Sequence, residues 1–454
     1  MDKYLSRSID QALLEWKDNP RRKPLLVRGA RQVGKSSTIR HLGKNFKYFL
    51  EVNVERNPEV MEFFKGSRDV KSIAAKLSDF FNVPVVPGET LLFLDEIQKS
   101  EDVIHSLWFF KEDYPELHVI AAGSLLEFAL KNLSSFGVGR VSSLFVYPMS
   151  FDEFLTATRQ EGLLRIKRNS SPTNPLPEAF YNRLVEAFRS YMLVGGMPEA
   201  VATYTETGSY RYSSDIVNEI IQGYQDDFAK YGAKANPLLL RQTLISVAHQ
   251  AGAKFVCSRV EGQYRSAEVK VALEMLKDAG LIIPTYHTDA NGVPLGAEIN
   301  ERVVKYLIHD TGVLLGILGI DDDIDERIKE MMVADSIDLV DKGHVAEMMA
   351  GLELIKYSSP QTRHQLYYWQ NMNKGTCAEV DYVIARSGSI VPIEVKSGVK
   401  GSMSSMYSLM RNPQKHIEMG IRCSLENFGT FASPDGKKID IIPLYAISNL
   451  FVEK

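Results

Sequence analysis

The sequence predicts an α/β fold whose first domain is organised on a parallel sheet. Short, wholly apolar runs, such as residues 25–27 and 91–94, alternate with stretches of helical spacing in the first third of the chain. Such runs are typical of strands buried on both faces of a parallel sheet. Glycine, acidic or small polar residues follow these runs directly. Because ligands bind at the carboxyl ends of strands in open α/β sheets, these residues are the candidates for function.

The first candidate is a glycine-cornered loop after the strand at residues 25–27. Gly29 and Gly34 bracket four residues, and Lys35 and Ser36 follow, which is the context of a Walker A phosphate loop. The glycines permit backbone angles that let successive N–H groups surround phosphate oxygens, and the helix N-terminus adds positive charge. Lys35 is expected to reach the β- and γ-phosphates, and Ser36 to bind Mg²⁺; the alternative is a glycine turn before an amphipathic helix. The predicted nucleotide-binding residues of this loop are Gly29, Ala30, Arg31, Gln32, Val33, Gly34, Lys35, Ser36 and Ser37.

Two later strands end in polar residues that fit the same site. Asp95 and Glu96 follow the apolar run at residues 91–94, where packing alone gives no reason for acids. Beside a phosphate loop, Asp95 fits the Mg²⁺-holding Walker B position, and Glu96 is placed to orient or deprotonate the attacking water. Ser124 ends the next predicted strand, residues 118–124, and could face the γ-phosphate. Ordinary turn residues are the alternative for all three.

Arg140 is the candidate for a residue that acts between subunits. It follows the glycine-flanked residues 136–139. A guanidinium delivered to a neighbour's γ-phosphate would stabilise transition-state charge, as arginine fingers do. This role predicts a homo-oligomer, and a plain surface arginine is the alternative.

These residues together resemble the AAA+ ATPases, and residues 29–36 and 147–154 are similar to one bacterial branch of that family. In that branch the ATPase is followed by a large C-terminal region of poorly assigned function. The resemblance implies ATP as the nucleotide, Mg²⁺ as its metal, and ATP hydrolysis. We assign residues 1–164 to the ATPase core and residues 165–235, which begin with a proline- and serine-containing connector, to a linker and helical lid.

Residues 236–320 are predicted to form a winged-helix module. Two stretches of helical spacing precede two strand-like runs around residues 289–292, and helix, helix, hairpin is the winged-helix order. DNA is therefore an expected partner, although a module that binds only protein is the open alternative. The basic residues placed to meet phosphates are Arg259, Arg265, Lys270 and Lys277.

Residues 321–454 contain a second set of chemical residues. A helix from residue 343 is followed by three predicted strands, at residues 365–369, 378–385 and 389–396. Period-two alternation puts Glu394 and Lys396 on one face of the third strand. A hairpin would bring Asp381 and Glu394 close enough to share a hard cation, with Lys396 beside its water and Glu347 approaching from the helix.

Helix, strand and hairpin with Glu347, Asp381, Glu394 and Lys396 resemble the PD-(D/E)xK nuclease fold. The resemblance implies that the acids hold Mg²⁺ and that the lysine helps to position or activate water for phosphodiester hydrolysis. The alternative is a solvated strand face with Asp381 turned elsewhere. The predicted α/β architecture is thus a P-loop AAA+ ATPase domain, a winged-helix middle domain and a PD-(D/E)xK nuclease-like C-terminal domain.

Cysteine spacing and the distribution of apolar residues give no sign of a zinc-binding, disulfide-stabilised, secreted or membrane-spanning protein. The 454 residues carry a formal net charge of −4, and their three cysteines have no zinc-site or disulfide spacing. No signal peptide and no membrane-spanning run is evident, so a cytoplasmic protein is expected. The leading hypothesis is an ATP-dependent protein that acts on DNA. The second is a nucleotide-driven regulatory switch whose C-terminal domain binds a partner without cutting it.

Overall fold

The computed structural model describes residues 4–132, 139–231, 236–319, 342–371, 378–398 and 401–451. These residues fall into two compact units. The first comprises the chain up to Tyr147 together with Asp278–Leu281 and Ser359–Arg363, and the second comprises the remainder. No helix in the described ranges combines the length and apolarity that crossing a bilayer requires.

The first unit is built on a five-stranded sheet of order β2-β3-β4-β1-β5, in which every pairing is parallel. The predicted parallel sheet is therefore confirmed. Every residue of β3 and β4 is buried, because helices cover both faces of such a sheet. The strands are β1 Leu25–Arg28, β2 Tyr48–Asn53, β3 Thr90–Asp95, β4 His118–Ala122 and β5 Ser142–Phe145.

The helices of the first unit begin at local signals in the sequence. The Asp69 side chain accepts a hydrogen bond from the Ser72 N–H and caps α4, and Ser100 accepts one from the Val103 N–H and caps α5. Such caps satisfy N–H groups that have no partner inside the helix. The helices are α1 Ile9–Asp18, α2 Lys35–Gly43, α3 Met61–Phe64, α4 Val70–Phe81, α5 Glu101–Asp113 and α6 Leu126–Asn132.

The second unit opens with a helical layer. A capping box at Ser150 and Glu153 starts its first helix. Residues 165–168, predicted to belong to a connector, instead complete α8, whose apolar side chains are buried on one face. The helices are α7 Phe151–Ala157, α8 Glu161–Arg168, α9 Glu178–Val194, α10 Pro198–Thr207, α11 Tyr210–Asp227, α12 Pro237–His249, α13 Ser266–Asp278, α14 Thr311–Ile317, α15 Lys342–Lys356 and α16 Ser404–Arg411.

A buried ion pair joins α7 and α8, the first two helices of the second unit. The Lys167 side chain is 0% exposed, and its ammonium contacts the Asp152 carboxylate and lies 2.6 Å from the Ser448 hydroxyl oxygen. Removing one partner of a buried pair leaves the other charge without compensation. We expect Asp152→Ala to lower the free energy of unfolding by roughly 3–5 kcal/mol. Urea unfolding followed by circular dichroism measures this.

The matched control is Asp435→Ala, because Asp435 forms an exposed pair with Arg411 at 2.6 Å. Exposed pairs contribute about 0–1 kcal/mol, so this variant should unfold close to the wild type. Equal losses in the two variants would show that burial does not decide the strength of the Lys167 pair.

The predicted order of two helices and a hairpin is present in the middle of the chain. Strands β6 Ile282–Thr288 and β7 Ile299–Ile308 pair antiparallel after α12 and α13. The hairpin does not stand alone, however. Strand β8, Leu366–Gln370, pairs parallel with β6 and antiparallel with β9, Glu379–Val380, which gives a sheet of order β7-β6-β8-β9. The first strand of the predicted nuclease-like domain therefore extends the sheet of the middle segment.

A five-stranded mixed sheet, of order β10-β11-β12-β14-β13, completes the second unit. Its strands are β10 Tyr382–Arg386, β11 Ser389–Val395, β12 Met419–Ser424, β13 Gly429–Ala432 and β14 Lys438–Pro443. The predicted β10–β11 hairpin is present and turns at Ser387 and Gly388, both of which have positive φ. The predicted strand at residues 378–385 is instead interrupted at Asp381, which separates β9 from β10. Helix α16 ends at Arg411, because Asn412 and Pro413 begin a turn that leads into β12.

Candidate functional site

The phosphate loop in the first unit has the backbone geometry that its glycines allow. Gly29 has φ 147°, Gln32 has φ 65° and Gly34 has φ 93°, values in the region that favours glycine. Gly29 also packs tightly, since an added Cβ would lie 2.2 Å from the Val146 carbonyl oxygen. Gly34 directly precedes α2, so the loop ends at a helix N-terminus that attracts anions.

Lys35 occupies the centre of this loop. Its side chain is buried, and its ammonium donates to the carbonyl oxygens of Gly29 at 2.9 Å and Ala30 at 2.6 Å. Burial lowers the pKa of Lys35 to about 8, although the charges of Glu96 and Asp95 partly oppose this. Because both hydrogen-bond acceptors are neutral, the buried ammonium fits an anionic phosphate as its counter-charge.

Ser36 and Asp95 lie together and fit a magnesium ion. The Ser36 hydroxyl donates to Asp95 Oδ2 at 3.2 Å, and the Glu96 N–H donates to Asp95 Oδ1 at 3.1 Å. Burial raises the pKa of Asp95, and the neighbouring Glu96 raises it further. A hydroxyl and a carboxylate are hard oxygen ligands of the kind that Mg²⁺ prefers.

Asn53 also belongs to this group, although sequence analysis did not identify it. Its amide lies 3.5 Å from Asp95 Oδ2. The sequence does contain a signal that could have identified Asn53. Asn53 is the last residue of β2, and a polar residue at the carboxyl end of a parallel strand is a candidate ligand contact.

Glu96 lies beside Asp95 and is held by two side chains. Gln98 Nε2 donates to Glu96 Oε2 at 2.5 Å, and the Ser124 hydroxyl lies 3.4 Å from the same oxygen. Glu96 has φ 56°, which is uncommon for a residue with a side chain. Gln98 was not predicted from sequence, and its Oε1 is buried with no hydrogen-bond partner in the described part of the chain. An added Cβ on Gly123 would lie 2.0 Å from that oxygen, so the glutamine fits only against glycine.

The structure places Arg140 at the surface of the first unit. Its side chain is 48% exposed, and Nε lies 2.7 Å from Glu112 Oε1. The guanidinium also lies 5.8 Å from the centre of the Trp108 ring. Residues 136–138, part of the glycine-flanked stretch, lie outside the described residues. The role of Arg140 in a neighbouring subunit remains a prediction.

In the second unit, the structure brings together Asp381, Glu394 and Lys396. Asp381 Oδ2 accepts the Val395 N–H at 2.7 Å, and the Lys396 ammonium donates to Glu394 Oε1 at 2.7 Å. Burial raises the pKa of Glu394 to about 7, and the adjacent charge of Asp381 contributes to the rise.

Glu347 joins this group from α15 through a lysine that sequence analysis did not identify. The Lys305 ammonium lies 2.8 Å from Glu347 Oε1 and 2.5 Å from Glu379 Oε1, and 4.9 Å from the centre of the Tyr368 ring. Burial raises the pKa of Glu347 to about 8, with a contribution from Asp381 and against the opposing effect of Lys305. A signal for Lys305 existed in β7, because period-two alternation puts it on the face of Leu307, which is buried.

We call this group the carboxylate cluster. Its members are Lys305, Glu347, Glu379, Asp381, Glu394 and Lys396.

The donors of the carboxylate cluster suit a divalent cation in their chemistry. Its four carboxyl groups outnumber its two ammonium groups by two. Glu394 Oε2 is buried and has no hydrogen-bond partner among the described residues. In the arrangement observed, however, no three His, Cys, Asp or Glu residues of the described ranges are placed to hold one metal. In this arrangement the Lys305 ammonium contacts one oxygen each of Glu347 and Glu379.

Three of the four basic residues predicted to meet DNA are exposed. Arg259, Arg265 and Lys270 lie on the surface at or before α13. Lys277 instead is half-buried and pairs with Glu274. Three of the four predicted phosphate contacts are therefore open to solvent.

Family comparisons divide the chain into three parts. Residues 21–155 match the family described as AAA domain. Residues 21–155 form a P-loop AAA domain. This bears out the predicted resemblance for the ATPase part of the chain. Residues 185–324 and 342–447 match two families described as domains of unknown function, DUF8612 and DUF4143, so neither a winged helix nor a nuclease is named there.

Similar solved structures include the Walker-type ATPase PABY2304 of Pyrococcus abyssi, with 17% identity, a TM-score of 0.43, and coverage of 69% of this chain and 96% of that chain. They also include the ORC1 protein of Aeropyrum pernix in complex with DNA, with 13% identity, a TM-score of 0.29, and coverage of 72% and 95%. Both scores are below 0.5, so neither likeness bears on the function of this chain. No curated protein matches it in sequence.

Proposed function

We propose that the AAA domain binds Mg·ATP and hydrolyses its γ-phosphoryl bond. The observation that carries this proposal is the convergence of polar side chains at the carboxyl edge of the parallel sheet, linked by the Ser36–Asp95 and Ser124–Glu96 hydrogen bonds. The Lys35 ammonium contacts the β- and γ-phosphates in place of the loop carbonyls. Ser36 and Asp95 would hold Mg²⁺, which would offset phosphate charge.

Glu96 is the residue that acts on the attacking water. Its carboxylate accepts from Gln98 and lies near the Ser124 hydroxyl, so it is oriented before any ligand enters. A carboxylate in this position aligns the water and accepts its proton as the bond to phosphorus forms. Phosphate release from the full chain, measured with Mg²⁺ and with EDTA, tests the proposal. Tight ATP binding without Mg²⁺-dependent release, at every protein concentration, would contradict it.

The first unit includes a short segment from the middle of the chain. Asp278–Leu281 belongs to the first unit, and Asp278 is the last residue of α13. An added Cβ on Gly280 would lie 3.1 Å from the Ala30 nitrogen, and Asp278 pairs with Lys131 at 2.6 Å. We propose that a change in the phosphate loop alters the position of Asp278–Leu281 through these contacts. This supports the proposal that ATP turnover is coupled to the rest of the chain.

We propose that the protein uses this coupling to act on DNA. The carboxylate cluster is the specific observation that favours DNA as the substrate. Asp381 and Glu394 adjoin, Lys396 contacts Glu394, and Glu394 Oε2 has no partner among the described residues. Such acids would hold Mg²⁺, and Lys396 would position water for phosphodiester hydrolysis. The exposed Arg259, Arg265 and Lys270 supply phosphate contacts. The second candidate is a switch that binds its partner without cleavage.

Variants of the carboxylate cluster distinguish these candidates. We expect Asp381→Asn and Glu394→Gln to lose a Mn²⁺ ion that binds separately from Mg·ATP, because each removes an anionic ligand. Lys396→Ala should keep the ion and lose cleavage of labelled DNA, because the lysine serves the water. Calorimetry and gel assays on several DNA and RNA forms measure the two effects.

ATP hydrolysis by these three variants should remain, and Asp435→Asn, which alters an exposed carboxylate, is the matched control. Ion binding that is unaffected by Asp381→Asn and Glu394→Gln would rule out the metal site. Binding of a partner without cleavage under any condition would favour the switch.

A further inference from the structure

Lys305 is an unusual residue for the interior of a sheet. It lies in β7, its side chain is 1% exposed, and its ammonium contacts the carboxylates of Glu347 and Glu379. Burial alone would lower the pKa of Lys305, but the charges of Glu347, Glu379 and Asp381 raise it above its ordinary value. The side chain is therefore a buried cation within the carboxylate cluster.

Lys305 belongs to a different segment of the chain from the four carboxylates of the cluster. Its four carboxylates lie in residues 342–447, which match one family, whereas Lys305 lies in residues 185–324, which match another. Strand β6 pairs with both β7 and β8, and this pairing fixes Lys305 beside the acids. The charge balance of the C-terminal segment thus depends on the hairpin of the middle segment.

A second observation, at Glu394, indicates that the carboxylate cluster has room for a further positive charge. Glu394 is 5% exposed, yet its Oε2 has no hydrogen-bond partner among the described residues. Four carboxyl groups share two ammonium groups even with Lys305 present. Buried carboxylates without compensation are costly. Glu394 Oε2 is thus an acceptor that a further cation would satisfy, while Lys305 contacts Glu347 and Glu379.

We propose that Lys305 is the resident cation of the carboxylate cluster, and that its ammonium group and a divalent metal ion compete for Glu347 and Glu379. This inference rests on the proposed metal-binding function of the cluster. Binding of the ion is strong only when the Lys305 side chain withdraws, which frees Glu347 to turn toward Asp381 and Glu394. Glu379, which the nuclease resemblance does not include, becomes a further ligand.

The test uses the full chain and Mn²⁺ as the probe, with binding measured by electron paramagnetic resonance in the presence of saturating Mg·ATP. We expect Lys305→Met to bind Mn²⁺ about 10–100-fold more tightly than the wild type at the cluster, the range by which neighbouring groups tune metal affinity. The melting temperature supplies a second readout. Lys305→Met should melt low in EDTA and recover with Mn²⁺, because an ion that binds only the folded state stabilises it, whereas the wild type should respond weakly.

Two controls separate this effect from general loss of stability. Lys167→Met removes another fully buried lysine that pairs with a carboxylate, and it should be destabilised without recovery in Mn²⁺. Lys305→Arg keeps the charge, so it should bind Mn²⁺ as weakly as the wild type. Where Lys305→Met is insoluble without metal, recovery of soluble protein on adding Mn²⁺ supports the proposal, and failure to recover overturns it.

The outcomes also distinguish this inference from the proposed function. Equal Mn²⁺ affinity in wild type and Lys305→Met, abolished in both by Glu394→Gln, would overturn competition and leave the metal site intact. No cluster-bound Mn²⁺ in any variant would overturn both. Tight binding to Lys305→Arg would show that charge is not the cause.

Discussion

Glu96→Gln is expected to bind Mg·ATP like the wild type and to release phosphate roughly 10²–10⁴-fold more slowly, the range for removal of a positioned general base. The amide keeps the size of the side chain and its contact with Gln98, so the site should stay assembled. What it loses is the carboxylate that accepts the proton of water. Lys35→Ala should instead weaken ATP binding itself, because it removes the cation at the centre of the phosphate loop.

Fluorescent-nucleotide titration and phosphate-release kinetics on the same preparations separate binding from turnover. Glu89→Gln is the matched control, because Glu89 forms an exposed pair with Lys47 at 2.8 Å, before the opposite end of β3. It should behave as wild type in both assays. Equal loss of ATP affinity in Glu96→Gln and Lys35→Ala would remove the assignment of Glu96 as a catalytic group.

Arg140→Ala is expected to bind ATP normally and to lose turnover by about 10³–10⁵-fold, the contribution of an arginine finger. The surface position supports this role, because the exposed pair with Glu112 contributes only about 0–1 kcal/mol. The guanidinium can therefore leave its own subunit at little cost. Arg411→Ala removes another exposed, paired arginine and should leave turnover unchanged.

Mixing tests whether the arginine acts between subunits. Lys35→Ala protein has an impaired nucleotide site but an intact Arg140, and Arg140→Ala protein has the reverse. Their mixture should recover part of the activity if each subunit supplies what its neighbour lacks. Specific activity of the wild type that stays constant on dilution to a proven monomer would contradict this mode of action.

The fold of the AAA domain was largely predictable because its signals are local. Apolar runs marked β1, β3 and β4, and their patterns correspond to strands buried on both faces. The C-terminal segment was less predictable. The hairpin of β10 and β11 has a short turn and was predicted, whereas β12 to β14 were not. Their parallel pairings join residues that are distant in sequence, and no local pattern specifies such partners.

The site residues also divide into those that local sequence identifies and those that only long-range contacts identify. Lys35, Ser36, Asp95 and Glu96 stand in contiguous motifs, so their spacing pointed to chemistry before any contact was known. Asn53 and Gln98 required the contacts of Asp95 and Glu96 to be seen. Neither side chain type is distinctive in sequence, and only the parallel alignment of β2 with β3 brings Asn53 to Asp95.

By itself, the sequence determined the phosphate loop and the residues that surround it, because backbone freedom at glycine and the ends of buried strands are properties of short segments. Only the tertiary structure added Lys305 and Glu379 to the carboxylate cluster. Lys305 in β7 and Glu379 in β9 are brought to 2.5 Å by a sheet that joins the middle segment to the C-terminal segment through β6 and β8. Electrostatic partners of this kind depend on distances across packed strands, and sequence separation does not encode those distances.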